Sequence, residues 1–216
     1  MIATRNPHKF RELKALLAVP DVRWRSLSSF PWVQTIPEHG RTFAENAAQK
    51  SLTVAGMTGR LALADDSGLE VTALGGAPGV RSARFAGHHG DDQANNTKLL
   101  RLLQGLAPSK RKARFRCALV LASPAQLLAV TEGTLAGRIA AGPRGRGGFG
   151  YDPLFVVPQL DKTVAQLSLK AKNRISHRAE AATRMRRVLA RVVANGPSQA
   201  AVRSRRRAGN SRVDPA

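Results

Sequence analysis

Apolar residues recur along the chain in two rhythms, and the changes of rhythm divide it into elements. Phe10, Leu13, Leu16 and Leu17 stand three and four apart and predict a helix. Asn6 is placed to cap it, and Pro7 suits its first turn. Met1-Ile2-Ala3-Thr4 before it reads as the end of a short first strand, and Val22 to Ser28 alternates like another. Thr42 and Glu45 form a capping box that opens a helix to about Met57. Leu61 to Ala64 is a short apolar strand running into Asp65-Asp66-Ser67-Gly68. Strand interiors reject Asp and Ser-Gly favours a turn, so the pattern puts both carboxylates at the strand's C-terminal end. Leu69 to Leu74 predicts a further strand. Asp91 or Asp92 caps a helix carrying Leu99, Leu100, Leu102 and Leu103. Phe115–Ala122, and Leu127–Ile139 as one long strand or two short ones, predict an antiparallel hairpin around Ser123-Pro124-Ala125-Gln126, and Leu154–Val157 a short buried strand. Met185, Val188, Leu189, Val192 and Val193 form the apolar stripe of a last helix, with Ser176 as its N-cap. After Pro197 the periodicity ends, and Arg203, Arg205, Arg206 and Arg207 lie among small polar residues, as in a disordered basic tail.

Composition sharpens this outline. A chain of 216 residues holds one sizeable domain or two closely packed lobes. Lys and Arg number 35 against 14 Asp and Glu, a formal charge of +21 that attracts nucleotides, nucleic acid or acidic surfaces. The single cysteine excludes an internal disulfide framework and fits a reducing cytosol. Cys117 sits inside the apolar run Phe115–Leu121 and reads as a buried strand residue, not a nucleophile. No apolar run approaches the ~18 residues of a membrane span, and the N-terminus lacks the apolar core of a signal peptide. The expectation is a soluble, cytoplasmic protein.

Several stretches carry candidate chemistry. The strand, turn and helix start at Thr4–Lys9 would form an anion site, because helix N-terminal amides and the dipole favour negative charge. Lys9 opposes that dipole, which either an anionic partner or simple solvation explains. His177 and Arg178 pose the same question at the last helix. Glu45 belongs to the capping box, whereas Asn46 and Lys50, one turn apart, are placed to face a cleft. Glu38, just before that helix, is free for metal or water. Asp65-Asp66-Ser67-Gly68 alone fits a turn as well as a site. The glycine-rich run Gly142–Pro153 lets backbone approach a ligand, and its Phe149 and Tyr151 offer aromatic surface to a base. It lacks the ending of a P-loop. His88-His89 has no spaced third ligand and does not read as a metal site.

Six motifs in order resemble the inosine-triphosphate pyrophosphatase family: Thr4–Lys9, Thr42–Ala47, Ala64–Leu69, Leu74–Gly79, Gly147–Pro153 and Ile175–Arg178. The match runs from residue 1 to about 195, leaving 196–216 as a basic extension outside the family pattern. The resemblance implies an α/β fold, an elongated mixed β-sheet with flanking helices and two lobes around a central nucleotide cleft, usually as a homodimer. It implies Mg²⁺-dependent hydrolysis of non-standard purine nucleoside triphosphates (dITP, ITP, XTP) to monophosphate and pyrophosphate, which cleanses the nucleotide pool. Thr4, Asn6, Lys9 and Lys50 would hold phosphates, with Arg5, Pro7 and His8 in the same loop. Glu38 and Asp66 would organise Mg²⁺, with Asp66 accepting the proton of the attacking water and Asp65 assisting. Ser67 would touch the nucleotide, Phe149, Gly150, Tyr151 and Asp152 would wall the base, and Lys172, His177 and Arg178 would read it.

Elementary chemistry agrees with that assignment. Mg²⁺ uses one or two carboxylates plus phosphate oxygens, and no Cys or His set competes for that role. Lys and Arg are donors only, so they satisfy a 6-keto oxygen and face the 6-amino donor of adenine badly. Guanine, also 6-keto, requires a pocket hostile to its 2-amino group. The chain departs from the family in its very short first strand, in lacking an acidic pair before Lys172, and in its tail. A nucleic-acid-binding protein is the rival that the charge invites; the chain carries no recognisable nucleic-acid-binding motif, and weak non-specific contact through the tail is compatible with an enzyme. A pyrophosphatase for modified pyrimidine or standard nucleotides is the nearer rival, and the Phe149–Asp152 and Ser176–Arg178 motifs favour purines.

Overall fold

The computed structural model describes residues 1–20, 22–34 and 36–194; the expected basic tail lies outside the described residues. Its framework is a five-stranded sheet in the order β1 (Ala62–Val71), β2 (Lys112–Ala122), β3 (Leu127–Ile139), β4 (Phe155–Val157) and β5 (Lys162–Thr163), each strand antiparallel to the next. Its mixed character enters at one place. Ile2 bridges in parallel to Leu63 of β1 and to Ser26. The anticipated first strand is thus a single bridged position. The strand expected over Val22–Ser28 is likewise replaced by that bridge and a 3-10 turn at Leu27–Ser29. Its alternation serves individual docking: Trp24 donates its indole N–H to the Leu17 carbonyl, and Leu27 enters the core.

Among the described residues five α-helices flank the sheet: α1 (Pro7–Leu16), α2 (Phe43–Thr58), α3 (Asp92–Leu102), α4 (Leu169–Ile175) and α5 (His177–Ala194). The expected caps are present. Asn6 accepts the amides of His8 and Lys9, Thr42 accepts that of Glu45, Asp91 that of Ala94 and Ser176 that of Ala179. Gly59 ends α2 in the left-handed conformation at φ +64°, which a glycine adopts without Cβ strain. The break at Ser176 makes α4 a separate helix, and Lys172 lies within it.

Strand periodicity then assigns the layers, because alternate residues face opposite sides. Ala62, Ala64, Ala118, Val120 and Ala122 pack beneath α2 with Phe43, Ala47 and Val54. Leu63, Cys117, Leu119 and Leu121 pack on the other face against Leu13 and Leu17 of α1 and Ala182, Met185 and Leu189 of α5. Farther along the same strands, Leu69, Val71 and Phe115 join Leu99 and Leu103 of α3 with Tyr151, Leu154 and Phe155. Two lobes therefore share one sheet, and the polar residues Asp65, Asp66 and Ser67 interrupt the apolar pattern of β1 between them.

That interruption corrects the expected turn. β1 runs unbroken through the pair, with Asp65 opposite Leu119 and Asp66 opposite Ala118, and continues to Val71. The residues read as a separate strand over Leu69–Leu74 are the end of β1 and a 3-10 turn at Thr72–Leu74. Lone buried carboxylates break a strand; these two have long-range partners, so the strand persists.

Candidate active site

Adjacent residues on a strand point to opposite faces, so β1 sends Asp65 toward α1 and α5 and Asp66 toward α2. Each carboxylate meets a different set of charges. Asp65 accepts from Lys9 Nζ at 3.5 Å, Arg178 Nε at 3.2 Å and Ser67 Oγ at 2.6 Å. Burial pushes its pKa up, but the Lys9 and Arg178 charges, the Ser67 hydrogen bond and Lys50 hold it well below the usual carboxylate range. Asp66 accepts from Asn46 Nδ2 at 3.0 Å. Burial is the largest influence on Asp66, and with Glu38 close by it outweighs Lys50, Lys9 and Asn46, so its pKa is pushed up to about 6.

Asn46 and Lys50, one turn apart on α2, tie this face together. Lys50 Nζ pairs with Glu38 at 2.6 Å and donates to the Asp65 carbonyl at 3.2 Å. Burial opposes the Lys50 charge, yet Glu38, Asp66 and Asp65 raise its pKa, and Lys50 in turn lowers that of Glu38 against burial. Arg84 also reaches Glu38, at 3.7 Å. Among the described residues no three His, Cys, Asp or Glu side chains gather into a closed metal site. What the site offers is two carboxylates, Glu38 and Asp66, near enough that the charge of one raises the pKa of the other. Hard oxygens in that number suit Mg²⁺, whose remaining ligands are water and phosphate, better than zinc.

At the start of α1, Thr4 Oγ1 accepts the Asn6 amide at 3.2 Å, and Asn6 takes the His8 and Lys9 amides. The cap thus consumes amides expected to be free for an anion. Positive charge is left to Lys9, while Asn6, Pro7 and His8 are exposed and Arg5 donates to the Val33 carbonyl.

The opposite side is a buried ionic cluster. Arg178 engages Asp65 by Nε, Glu12 by Nη1 at 3.4 Å and Ser67 by Nη2 at 2.7 Å. Lys172 Nζ meets Asp152 at 2.9 Å and Glu12 at 3.5 Å. Burial raises the Asp152 pKa and is only partly opposed by Lys172. The Phe149 ring lies 4.8 Å from Lys172 Nζ and 5.1 Å from Arg178 Cζ. His177 is buried, its ring centroid 4.9 Å from that of Phe115; desolvation and then Arg178 hold it neutral, and its Nδ1 has no protein partner. Tyr151 turns inward and donates to the Ser82 carbonyl at 2.9 Å, so its ring belongs to the core. Gly150 holds φ +63° in the turn between Phe149 and Tyr151.

Lys9, Lys50, Asp65, Ser67, Lys172 and Arg178 therefore share one bonded polar network with Glu38, Glu12 and Asp152, while Asp66 stands beside it on Asn46 and Thr4 beside it on the Asn6 cap. Glu12 is the member that sequence reasoning missed. It is 3% exposed, bonded to two cations of the last helices, and signalled only by its place beside Leu13, three residues after Lys9.

The model of the Ham1 family matches residues 1–188. The chain is 49% identical over 192 residues to the dITP/XTP pyrophosphatase of Desulforamulus reducens, covering 89% of this chain and 96% of that one. It is 46% identical over 189 residues to the enzyme of the same name from Bacillus subtilis, covering 88% and 96%. Among solved structures, the Staphylococcus aureus Ham1 protein matches with a TM-score of 0.78 at 42% identity, over 87% of this chain and 96% of the other. A HAM1 protein from Coxiella burnetii matches with a TM-score of 0.80 at 39% identity, over 88% and 98%.

Proposed function

This chain belongs to the Ham1 family, and on that premise we propose that it is a nucleoside-triphosphate pyrophosphatase that clears dITP, XTP and ITP from the nucleotide pool. Water adds across the α–β anhydride, giving the nucleoside monophosphate and pyrophosphate. The observation that carries the reading is the divergent environment of two neighbouring carboxylates. Asp65 is locked ionised while Asp66 is pushed up to about 6, and such pairs divide acid–base labour.

In this reading Asp66 accepts the proton of the attacking water, a role suited to a carboxyl group that titrates just below neutral pH. Asp65 assists by fixing Lys9 and Arg178. Lys9 and Lys50 neutralise the polyphosphate, with Thr4 and Asn6 beside them and Arg5, Pro7 and His8 in the same loop. Glu38 and Asp66 would hold Mg²⁺, which screens phosphate charge and polarises the anhydride when bound. Arg178 has five N–H groups and three bonds within the protein, and Lys172 has three and two. The spare donors suit a 6-keto oxygen; an adenine 6-amino group would leave them unpaired. Phe149 offers its ring to the base, and the buried His177 beneath the cluster keeps an unpartnered Nδ1.

The test is pyrophosphate release with Mg²⁺ from dITP, XTP, ITP, dATP, dGTP and dCTP. Preference for the first three is expected, with Asp66→Asn inactive yet folded. Equal turnover of dATP, or an active Asp66→Asn variant, would sink the reading.

Homodimerisation, cytoplasmic residence and weak nucleic-acid contact through the tail belong to the same reading. The exposed Trp32, Met57 and Val130 leave apolar surface for a second copy, and the charge of +21 favours polyanions. No helix among the described residues is long and apolar enough to cross a membrane. Light scattering that gives a monomer mass at micromolar concentration would remove the dimer.

A further inference from the structure

α3 takes no part in the chemistry above, yet its first turn grips the loop that carries Phe149. Asp91 already caps this helix by accepting the Ala94 amide at 2.9 Å. Asp92 is therefore not needed as a cap, and its Oδ2 instead accepts the Gly150 amide at 2.6 Å. One helical turn on, Asn96 Nδ2 donates to the Gly150 carbonyl at 3.0 Å. Side chains four apart on a helix stand together, so the pair holds both polar groups of a single residue. A cap or a general packing contact does not require that double recognition.

The gripped residue has particular leverage. Gly150 sits at φ +63°, a conformation that only glycine adopts without strain, and a Cβ there would meet nothing within 4 Å. Its conformation, not its bulk, is therefore the constraint. On one side of it, Tyr151 is anchored through its hydroxyl to Ser82, and Asp152 accepts both the Phe149 amide at 3.0 Å and Lys172. On the other side Phe149 projects, half-buried, over the Lys172 and Arg178 cations and within 6.0 Å of the His8 ring. The peptide that α3 holds is the hinge between the anchored residues and the ring. Asn95, the neighbour of Asn96, is used differently: it accepts the Ala86 amide at 2.7 Å and is buried in the scaffold.

We propose that Asp92 and Asn96 are positioning residues of the base side of the site: their clamp on Gly150 sets the Phe149 ring against Lys172 and Arg178, and so sets the affinity and selectivity for the base. This rests on the base-recognition reading given above. Neither residue is bonded to the carboxylates of β1 or to Lys9 and Lys50. Loosening the clamp widens the slot beside the cations and weakens discrimination, without altering the carboxylates of β1.

Steady-state kinetics on Asp92→Ala, Asn96→Ala and Asp92→Asn test this, with inhibition by inorganic pyrophosphate as a second readout. The two alanine variants are expected to raise KM for dITP roughly three- to tenfold, the range for one lost hydrogen bond of ordinary strength. They should keep kcat within about twofold and shrink the dITP/dATP preference, because the base contact is lost and the chemistry is not. Pyrophosphate inhibition should stay at the wild-type value, and the melting temperature should fall by no more than about 6 °C, the share of one hydrogen bond in a domain of this size. Asp92→Asn, which keeps an acceptor oxygen, should recover most of the lost KM. Wild-type KM and selectivity in both alanine variants would overturn the proposal. So would a parallel loss of kcat, pyrophosphate binding and melting temperature, which marks a general scaffold role. If the wild-type chain shows no base preference, the parent reading fails and the positioning role falls with it; that result appears in the wild type alone and is thereby distinguishable.

Discussion

Asp65→Asn removes one charge from the centre of the molecule and preserves its shape. The side chain of Asp65 is 0% exposed and that of Arg178 5%, so solvent does not screen their pairing. Losing one partner of a buried, hydrogen-bonded pair costs about 3–5 kcal/mol. The Lys9 contact is longer and Lys9 is 21% exposed, which puts its share below about 1 kcal/mol. Asparagine keeps an acceptor for Ser67 or Arg178, and Glu12 still holds Arg178, so we expect the lower end, about 3 kcal/mol. For a domain of this size that lowers the melting temperature by about 6–12 °C. Urea denaturation at neutral pH measures it, with an unchanged m-value showing that the folded state stays compact. The pH dependence gives a second check. Because the folded-state pKa of Asp65 is depressed, its contribution is present above the unfolded value of about 3.9 and is lost as pH falls through the folded value. The gap between wild type and variant should be flat from about pH 5 to 8 and close only in stronger acid. A loss under about 1 kcal/mol would refute the reasoning, as would strict additivity with Arg178→Met, since contacting residues couple by about 0.5–3 kcal/mol.

Three further outcomes follow from the same geometry. His177 is held below its usual pKa by burial, so the unfolded chain takes up a proton near pH 6.5 that the folded chain refuses, and wild type loses up to about 1.4 kcal/mol per pH unit below that point. Asp66 acts with opposite sign below about pH 6, so the comparison is between wild type and His177→Gln; identical pH slopes would exclude the His177 contribution. Gly133→Ala on β3 brings a Cβ onto the His177 carbonyl and within 2.6 Å of the Ala181 amide, so α5 must shift with Arg178; we expect a cost of about 1–3 kcal/mol and at least a tenfold fall in kcat/KM, and wild-type activity would contradict it. Arg111→Met strips donors from the carbonyls of Leu103, Leu106 and Ala140; denaturation should show a loss of about 2–4 kcal/mol with kcat retained, and a neutral effect would mean that water replaces the guanidinium.

Local signals were the reliable part of the sequence. Asn6, Thr42, Asp91 and Ser176 cap the helices that their spacing implied, and the β2–β3 hairpin pairs around the turn that Ser123–Gln126 predicts. These features depend on contacts within a few residues, which are written in the order of the chain. The motifs of the site were legible in the same way, through the six stretches that resemble a known family. Glu12 was not, because a glutamate on a surface helix and one buried under two cations have the same local sequence.

The largest misreading was Asp65-Asp66. By itself the sequence determined that two carboxylates follow an apolar strand, and local propensity then argued for a turn. Tertiary structure decided that β1 continues through them, because Lys9 lies 56 residues away in the chain, Arg178 113 residues away and Asn46 20 residues away, and together they supply the partners that a buried carboxylate needs. It also decided which carboxylate is locked and which titrates, since the two-residue period of a strand turns Asp65 toward the Lys9 and Arg178 cations and Asp66 toward Asn46 and Glu38. Periodicity fixes only that neighbours on a strand face apart; what waits on each face is a matter of long-range packing.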